Sequence, residues 1–318
     1  MAKARRLSYS AAMTRIAVLT PDPHDASYAG QWPGVLARLS EAMAAAGITV
    51  EPTPWTAHVE DATTLKAYPL VLAVIAWGYH RDHNRWLAAT RCWAEAGVTI
   101  ANPASVLGWN SDKAYLGRLE ERGVPIAPTR WCKDVTLSDI DAAFAEFGSD
   151  QLIVKPVVSA GAFRTLRLSP GEPLVDAPVG RAMIQPYLPN IASEGELSLL
   201  FFGGRFSHAV NKRPVTGDFR IQVQFGGLYT SVDAPPAEAL ALAAQVLDAI
   251  DEPLLYARID MVRDGAGQWL LMEAELIEPD FYLANAADGG ASFVQAVRER
   301  LGQRRDFRPI NPEGTMPH

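Results

Sequence analysis

Tyr256 to Asp280 reads YARIDMVRDGAGQWLLMEAELIEPD, two apolar runs on either side of Asp264-Gly265-Ala266-Gly267. The turn glycines tolerate positive φ, so the stretch predicts a β-hairpin. Residues two apart in a strand share a face. Arg258 and Asp260 therefore point one way, and Ala257, Ile259 and Met261 the other. On the return strand Glu273 and Glu275 fall on the face of Leu271, opposite Met272 and Ala274. Folding about the turn sets Asp260 roughly across from Glu273, and three carboxylates and a guanidinium crowd one face.

Carboxylates that close repel one another unless a cation neutralises them. Hard oxygen ligands on a sheet suit Mg²⁺, which completes its shell with phosphate oxygens and water. An edge hairpin with a solvated acidic face is the alternative. The apolar flanks Leu270, Leu271, Met272, Leu276 and Ile277 place the acids in a core strand and favour a metal site.

The pattern Arg258-x-Asp260 followed by Glu273-x-Glu275 resembles the metal-binding hairpin of ATP-grasp ligases, the superfamily of D-alanine–D-alanine ligase and prokaryotic glutathione synthetase. In those enzymes Asn commonly stands at the position of Glu275, so the extra acid leaves one or two metals open. The resemblance covers roughly residues 14–300. ELIEP points to the glutathione-synthetase-like branch, which contains the cyclo-ligase of D-cycloserine biosynthesis.

The bulk numbers are compatible with that size of enzyme. A chain of 318 residues, 48% hydrophobic, can bury two or three packed subdomains. Net charge −7, with no basic block beyond the first six positions, argues against a nucleic-acid partner. No apolar run reaches about eighteen residues, so no membrane span is expected. Cys92 and Cys132 lack metal-ligand spacing and read as reduced thiols of a cytoplasmic protein. The opening MAKARRLSYSAA, residues 1–12, has neither an apolar targeting core nor a packing pattern and reads as a disordered tail.

From Thr14 onward, strand-like runs (14–20, 48–50, 70–75, 98–101) alternate with helical spacing over 32–46 and 84–96. This predicts an α/β unit with a parallel sheet over residues 13–104. Its polar loops, His24 to Tyr28 and Trp77 to Arg81, lie where such sheets bind ligands. His24, His80 and His83 read first as solvated loop histidines, with substrate contact the alternative.

The remaining motifs follow the superfamily's order. Asn110-Ser111-Asp112-Lys113 opens a helix ending near Gly123 and resembles the entrance to the lid, where the lysine reaches nucleotide phosphates. Lys155 in the apolar run QLIVKP needs an anionic partner. Behind it, Ser159 and Gly161 belong to a small-residue loop whose N–H groups could approach phosphate. A strand-edge lysine before a simple hairpin turn is the alternative. AMIQPYLP resembles the adenine hinge, with Gln185 toward the exocyclic amine and Pro186, Tyr187 and Leu188 forming the hinge. Glu196 falls at the ribose-binding acid, with Glu194 as competitor. Lys212, Arg213 and Arg220 resemble the loop that flanks a substrate carboxyl and the γ-phosphate; arginine's forked donors suit both.

The resemblance thus implies an α/β (α+β ATP-grasp) architecture: the α/β substrate domain, a lid subdomain over 105–186, and a C-terminal antiparallel metal and substrate subdomain over 187–318. It implies an ATP-dependent carboxylate–amine ligase acting through an acyl phosphate. Asp260, Glu273 and Glu275 hold Mg²⁺ (Mn²⁺ the alternative), and Arg258 stabilises the oxyanion. The substrates are a small amino-acid-like carboxylate and an amine, in one molecule or two, and the assembly a homodimer or homotetramer. Two rivals stand beside this: a synapsin-like, non-catalytic ATP-binding protein, and a kinase- or carboxylase-type enzyme on the same fold.

Overall fold

The computed structural model describes residues 13–302; the expected tail over 1–12 and the Pro-rich end of the chain lie outside them. The first unit runs β1 (Thr14–Thr20), α1 (Trp32–Ala44), β2 (Ile48–Pro54), β3 (Val71–Leu72), α2 (His83–Glu95) and β4 (Ile100–Ala101). Its strands are all parallel, in the order β2-β1-β3-β4. Strand β1 is apolar and buried from Ile16 to Leu19 because both its faces are covered there. Ile16 and Val18 pack with Leu39 and Met43 of α1, while Ala17 and Leu19 pack with Trp86 and Trp93 of α2.

Two short helices follow, α3 (Ala104–Asn110) and α4 (Tyr115–Glu121). The sequence reading expected a single helix opened by Asn110. Instead Asn110 ends α3, and Lys113 lies in the junction, its N–H bonded to the Val157 carbonyl at 2.8 Å. The next unit comprises β5 (Arg130–Cys132), α5 (Leu137–Phe147), β6 (Leu152–Pro156), β7 (Leu166–Leu168) and β8 (Ala182–Pro186). It forms an antiparallel sheet, β5-β8-β6-β7, with α5 on one face. A reciprocal capping box between Thr136 and Asp139 starts α5.

The third unit contains α6 (Asn190–Ser193), β9 (Glu196–Phe202), β10 (Arg205–Arg213), β11 (Leu228–Ser231), α7 (Ala237–Ile250), β12 (Tyr256–Arg263), β13 (Trp269–Glu275) and α8 (Ala291–Gly302). Its sheet is antiparallel, β11-β10-β9-β12-β13. Leu197, Leu199 and Phe201 of β9 and Ala257, Ile259 and Met261 of β12 bury against α7 and α4. The opposite face divides along its length. Leu200, Phe202, Val210 and Tyr256 pack toward α8 and the first unit, while Glu196, Lys212, Arg258 and Asp260 face a cavity.

The predicted hairpin is present, with Asp260 paired to Glu273 and Arg258 to Glu275. One part of its face assignment is corrected. The register jumps so that Met261 pairs with Leu271, leaving Met272 as the extra residue of a β-bulge. The bulge rotates Leu271 into the core with Ile259 and Met261, and turns Met272 to the cavity beside Glu273. The outer edge of β13 is covered by residues 125–127, with Leu271 donating to the Pro125 carbonyl at 2.8 Å. Farther along, the Asn110 amide bonds the Ala274 carbonyl at 2.8 Å and the Leu276 N–H at 3.0 Å.

Asn102 joins the first and third units. Fully buried, it donates to the carbonyls of Tyr256 (2.9 Å) and Leu276 (2.8 Å) and accepts from the Leu255 N–H at 2.8 Å. Asn102→Ala strands those backbone groups in a dry site, and we expect it to cost about 2–3 kcal/mol. Urea titration reads this as a lower midpoint with an unchanged slope. A loss under about 0.5 kcal/mol, the range of an ordinary surface change, would show the junction is held elsewhere.

Candidate active site

The three sheets enclose a cavity of about 1210 Å³. One wall is the polar half of the C-terminal sheet, and its charges come in pairs. Asp260, 2% exposed, accepts from the Ser198 hydroxyl at 2.5 Å, Lys212 Nζ at 3.0 Å and Arg258 at 3.0 Å. Burial alone would push its carboxyl up, but Arg258 and Lys212 hold it well below the usual range. Lys212 also pairs with Glu196 at 2.6 Å. Although burial opposes its charge, these two carboxylates keep it an ammonium.

The other acids are less enclosed. Glu273 pairs with Lys113 Nζ at 3.0 Å, and Glu275 with Arg258. Burial, then repulsion from Glu273 and Asp260, raises Glu275 to about 7 despite Arg258. Arg258 thus bridges Asp260 and Glu275, with its guanidinium 5.2 Å from the Tyr282 ring centroid. Among the described residues no three His, Cys, Asp or Glu side chains form a ready metal-binding group; each acid of the hairpin instead holds a cation.

The facing wall comes from the second unit. Lys155 lines the cavity at the end of β6, and its ammonium makes no hydrogen bond or ion pair among the described residues. Burial lowers its pKa, and the charge of Glu273 partly restores it. Lys113 donates to the Ser159 carbonyl at 3.1 Å, tying the small-residue loop to the hairpin. Ser159 and Gly161 both line the cavity, Gly161 at φ 60°. Gln185 gives its amide N–H to the Thr129 hydroxyl at 2.8 Å, which leaves its carbonyl oxygen as an acceptor. Pro186, Tyr187 and Leu188 line the same end, and Arg167 covers the Tyr187 ring at 4.2 Å.

Of the cationic loop, Lys212 and Arg220 reach the cavity and Arg213 does not. Strand alternation turns Arg213 to the outer face of β10, where its Nε donates to the Glu194 carbonyl at 3.0 Å. Arg220 is held by Asp218 at 2.8 Å and lies 3.7 Å over the Phe225 ring. Glu194 is exposed and outside the cavity, whereas Glu196 lines it. His24, His80 and His83 do not line it either; His83 bonds the Ser111 hydroxyl at 2.8 Å.

Sequence reasoning missed Glu278 in the cavity wall; Tyr79, also in that wall, belongs to the loop Trp77 to Arg81 expected at the ligand end of the parallel sheet. Glu278 is the second acid of ELIEP, and its carboxyl is raised to about 8, first by burial and then by Glu275. Three residues beyond Glu275 and past the end of β13, it lies outside the alternation that marked the other acids. Tyr79 is buried at the end of the loop after β3.

The family described as D-cycloserine synthetase DcsG, N-terminal domain, matches residues 16–102. The cycloserine biosynthesis protein DcsG of Streptomyces lavendulae is 30% identical over 281 residues, covering 83% of this chain and 92% of that protein. The crystal structure of D-cycloserine synthetase DcsG superposes with a TM-score of 0.75 at 28% identity, over 90% of this chain and 99% of that one. D-alanine–D-alanine ligase from Bacillus anthracis shares the fold, with a TM-score of 0.68 at 14% identity over 92% and 99% of the two chains.

Proposed function

Because this chain belongs to the DcsG family within the ATP-grasp ligases, we propose that its cavity activates a small amino-acid carboxylate with ATP and joins it to an amine of the same molecule. Two separate substrates are the alternative that an omission experiment distinguishes. The enzyme is an ATP-dependent carboxylate–amine ligase. The observation that carries the site assignment is the meeting of Lys113, Lys155, Arg258 and the acids of the hairpin around one cavity.

Lys155, whose ammonium has no hydrogen bond or ion pair among the described residues, and Lys113 bind the ATP phosphates, and Ser159 and Gly161 offer backbone N–H groups to them. Gln185, through its free carbonyl, meets the adenine amine, with Pro186, Tyr187 and Leu188 around the ring. Glu196 is the ribose acid, since it lines the cavity and Glu194 does not. The second unit, residues 105–186, is the lid over this nucleotide, the first unit through residue 104 carries substrate loops, and the chain from 187 supplies the metal face.

The donor set suits a hard divalent ion. Glu273 and Glu275 keep about a third and a quarter of their side-chain surface open, 32% and 27%, so these two offer oxygens to the cavity. Asp260 already accepts from three protein donors and must release one before it can ligate. Mg²⁺, the ion we assign here, supplies charge compensation for the γ-phosphoryl group when bound. A substrate carboxylate oxygen attacks the γ-phosphorus and ADP leaves. The amine nitrogen then attacks the acyl carbon, phosphate departs with the bonding electrons, and the amine proton passes to solvent. Arg258 and Arg220 face this space and hold the carboxylate and the developing oxyanion.

Hydroxylamine tests the reading, because it intercepts an acyl phosphate as a hydroxamate. ATP, Mg²⁺, a panel of small carboxylic acids and hydroxylamine should give equal amounts of ADP and hydroxamate. ADP release that needs no carboxylate would instead mean hydrolysis or a kinase. Lys155→Ala should weaken ATP binding by about 1–3 kcal/mol, the range for hydrogen bonds to charged groups. Titration calorimetry showing unchanged affinity would make Lys155 a packing residue.

A further inference from the structure

Six acids line the cavity, and four of them have cationic partners: Glu196 with Lys212, Asp260 with Lys212 and Arg258, Glu273 with Lys113, Glu275 with Arg258; Asp280, which is exposed, accepts from the Tyr282 N–H at 2.9 Å. Glu278 has neither an ion pair nor a hydrogen bond to its carboxylate among the described residues, although it is largely buried and lines the cavity. A buried carboxylate without a partner is costly, and natural sites keep one where a ligand completes it.

Its place in the fold says which part of the cavity it serves. Ile277 packs into the core of the first unit with Ala17, Leu19 and Trp86, so Glu278 stands at the carboxyl ends of the parallel strands. Tyr79, on the loop after β3, lies close enough that the Glu278 charge is the first electrostatic influence on its buried phenol. The phosphate-facing cations Lys113 and Lys155 come from the lid side, and Arg258 lines the same cavity. The two lysines thus stand on the lid side and Glu278 on the side of the first unit, where Arg38 of α1 also lines the cavity and Asp280 follows two residues on.

Resting on the ligase reading above, we propose that Glu278 binds the ammonium group of the substrate and restricts it to α-amino acids over carboxylic acids lacking the amino group. An α-amino acid with its carboxylate on Arg258 would present its ammonium only one carbon away, and a bound ammonium would give Glu278 the counter-charge that the protein withholds. The tetrahedral, strongly hydrated ammonium asks for one carboxylate plus neutral acceptors, and Tyr79 lines the same cavity.

The test compares acids that differ only in the amino group: alanine with propanoate, serine with 3-hydroxypropanoate and aspartate with succinate, each amino acid in both enantiomers. Hydroxylamine traps the activated carboxyl, so the natural amine need not be known. We expect the wild-type enzyme to prefer the amino acids, and Glu278→Gln to reduce that preference about ten- to a hundredfold with ATP affinity unchanged. Glu278→Asp, which keeps the charge, should retain part of it and guards against a folding defect in the amide variant. Equal use of amino and des-amino acids by the wild type, or an undiminished preference in Glu278→Gln, overturns the proposal while leaving the ligase reading intact. A Glu278→Gln defect cured by raising Mg²⁺ would assign the residue to the metal instead. No hydroxamate from any acid in the panel would overturn the ligase reading, and this proposal with it.

Discussion

Glu273→Ala should lower ADP release at least about a thousandfold, close to 4 kcal/mol of transition-state stabilisation, while the protein stays folded and still binds nucleotide. The side chain is 32% exposed and pairs with Lys113 at 3.0 Å, so its removal opens no void in the core. What it removes is one of the hairpin's two carboxylates open to the cavity, and with it the oxygen expected to fix the ion against the phosphates. The two lysines respond in the opposite sense. Lys113 loses its carboxylate and Lys155 its strongest counter-charge, so both face the cavity less neutralised than before. ATP measured without Mg²⁺ should therefore bind as tightly as to wild type, or more tightly. Loss of turnover with preserved or improved metal-free affinity separates this from general damage. Turnover within tenfold of wild type at saturating Mg²⁺ would remove Glu273 from the metal site. Glu273→Gln should behave like the alanine variant, since an amide keeps the shape but not the charge.

Much of this site could be read from the sequence because two-residue periodicity is a strong constraint. It put Arg258 and Asp260 on one face and Asp260 across from Glu273, as the structure has them. The bulge at Met272 carried no such signal: one extra residue in an apolar run looks the same as a regular strand, yet it moves Leu271 from the acids' face to the core. Lys212 and Arg213 are adjacent in sequence and were grouped together. The pleat sends one to a buried ion pair and the other to solvent, and alternation from Val210 could have separated them. Partnering was not legible at all. Lys155, Lys212 and Lys113 are equivalent as letters; only packing shows that the first has no carboxylate and the second has two. Glu278 shows the same gap from the other side, because its isolation is a property of the cavity and not of any local pattern.

Arg258 connects stability to activity, and its removal should have the second large effect. The side chain is 8% exposed and bridges Asp260 and Glu275, with Lys212 as the other cation on Asp260. Arg258→Met leaves two carboxylates facing each other with one buried cation between them and Glu196. Breaking a buried pair in this way costs about 3–5 kcal/mol. The deficit should depend on pH with a definite sign. Glu275 already titrates near 7, above its unfolded value, and without Arg258 it rises further. A carboxyl raised on folding favours the folded state at low pH, and that advantage is lost as pH climbs through the folded pKa. The variant should therefore come nearest to wild-type stability at about pH 5, where Glu275 is neutral at little cost, and fall furthest behind above pH 8. A second substitution, Glu275→Gln, removes the uncompensated charge and should restore part of the stability at pH 8 without restoring turnover, since the guanidinium proposed to hold the reacting carboxylate is still missing. Urea midpoints at the two pH values and ADP release for the single and double variants measure all of this. A deficit that does not change between pH 5 and 8 would mean Glu275 does not depend on Arg258, and recovery of turnover in the double variant would confine Arg258 to holding the hairpin together.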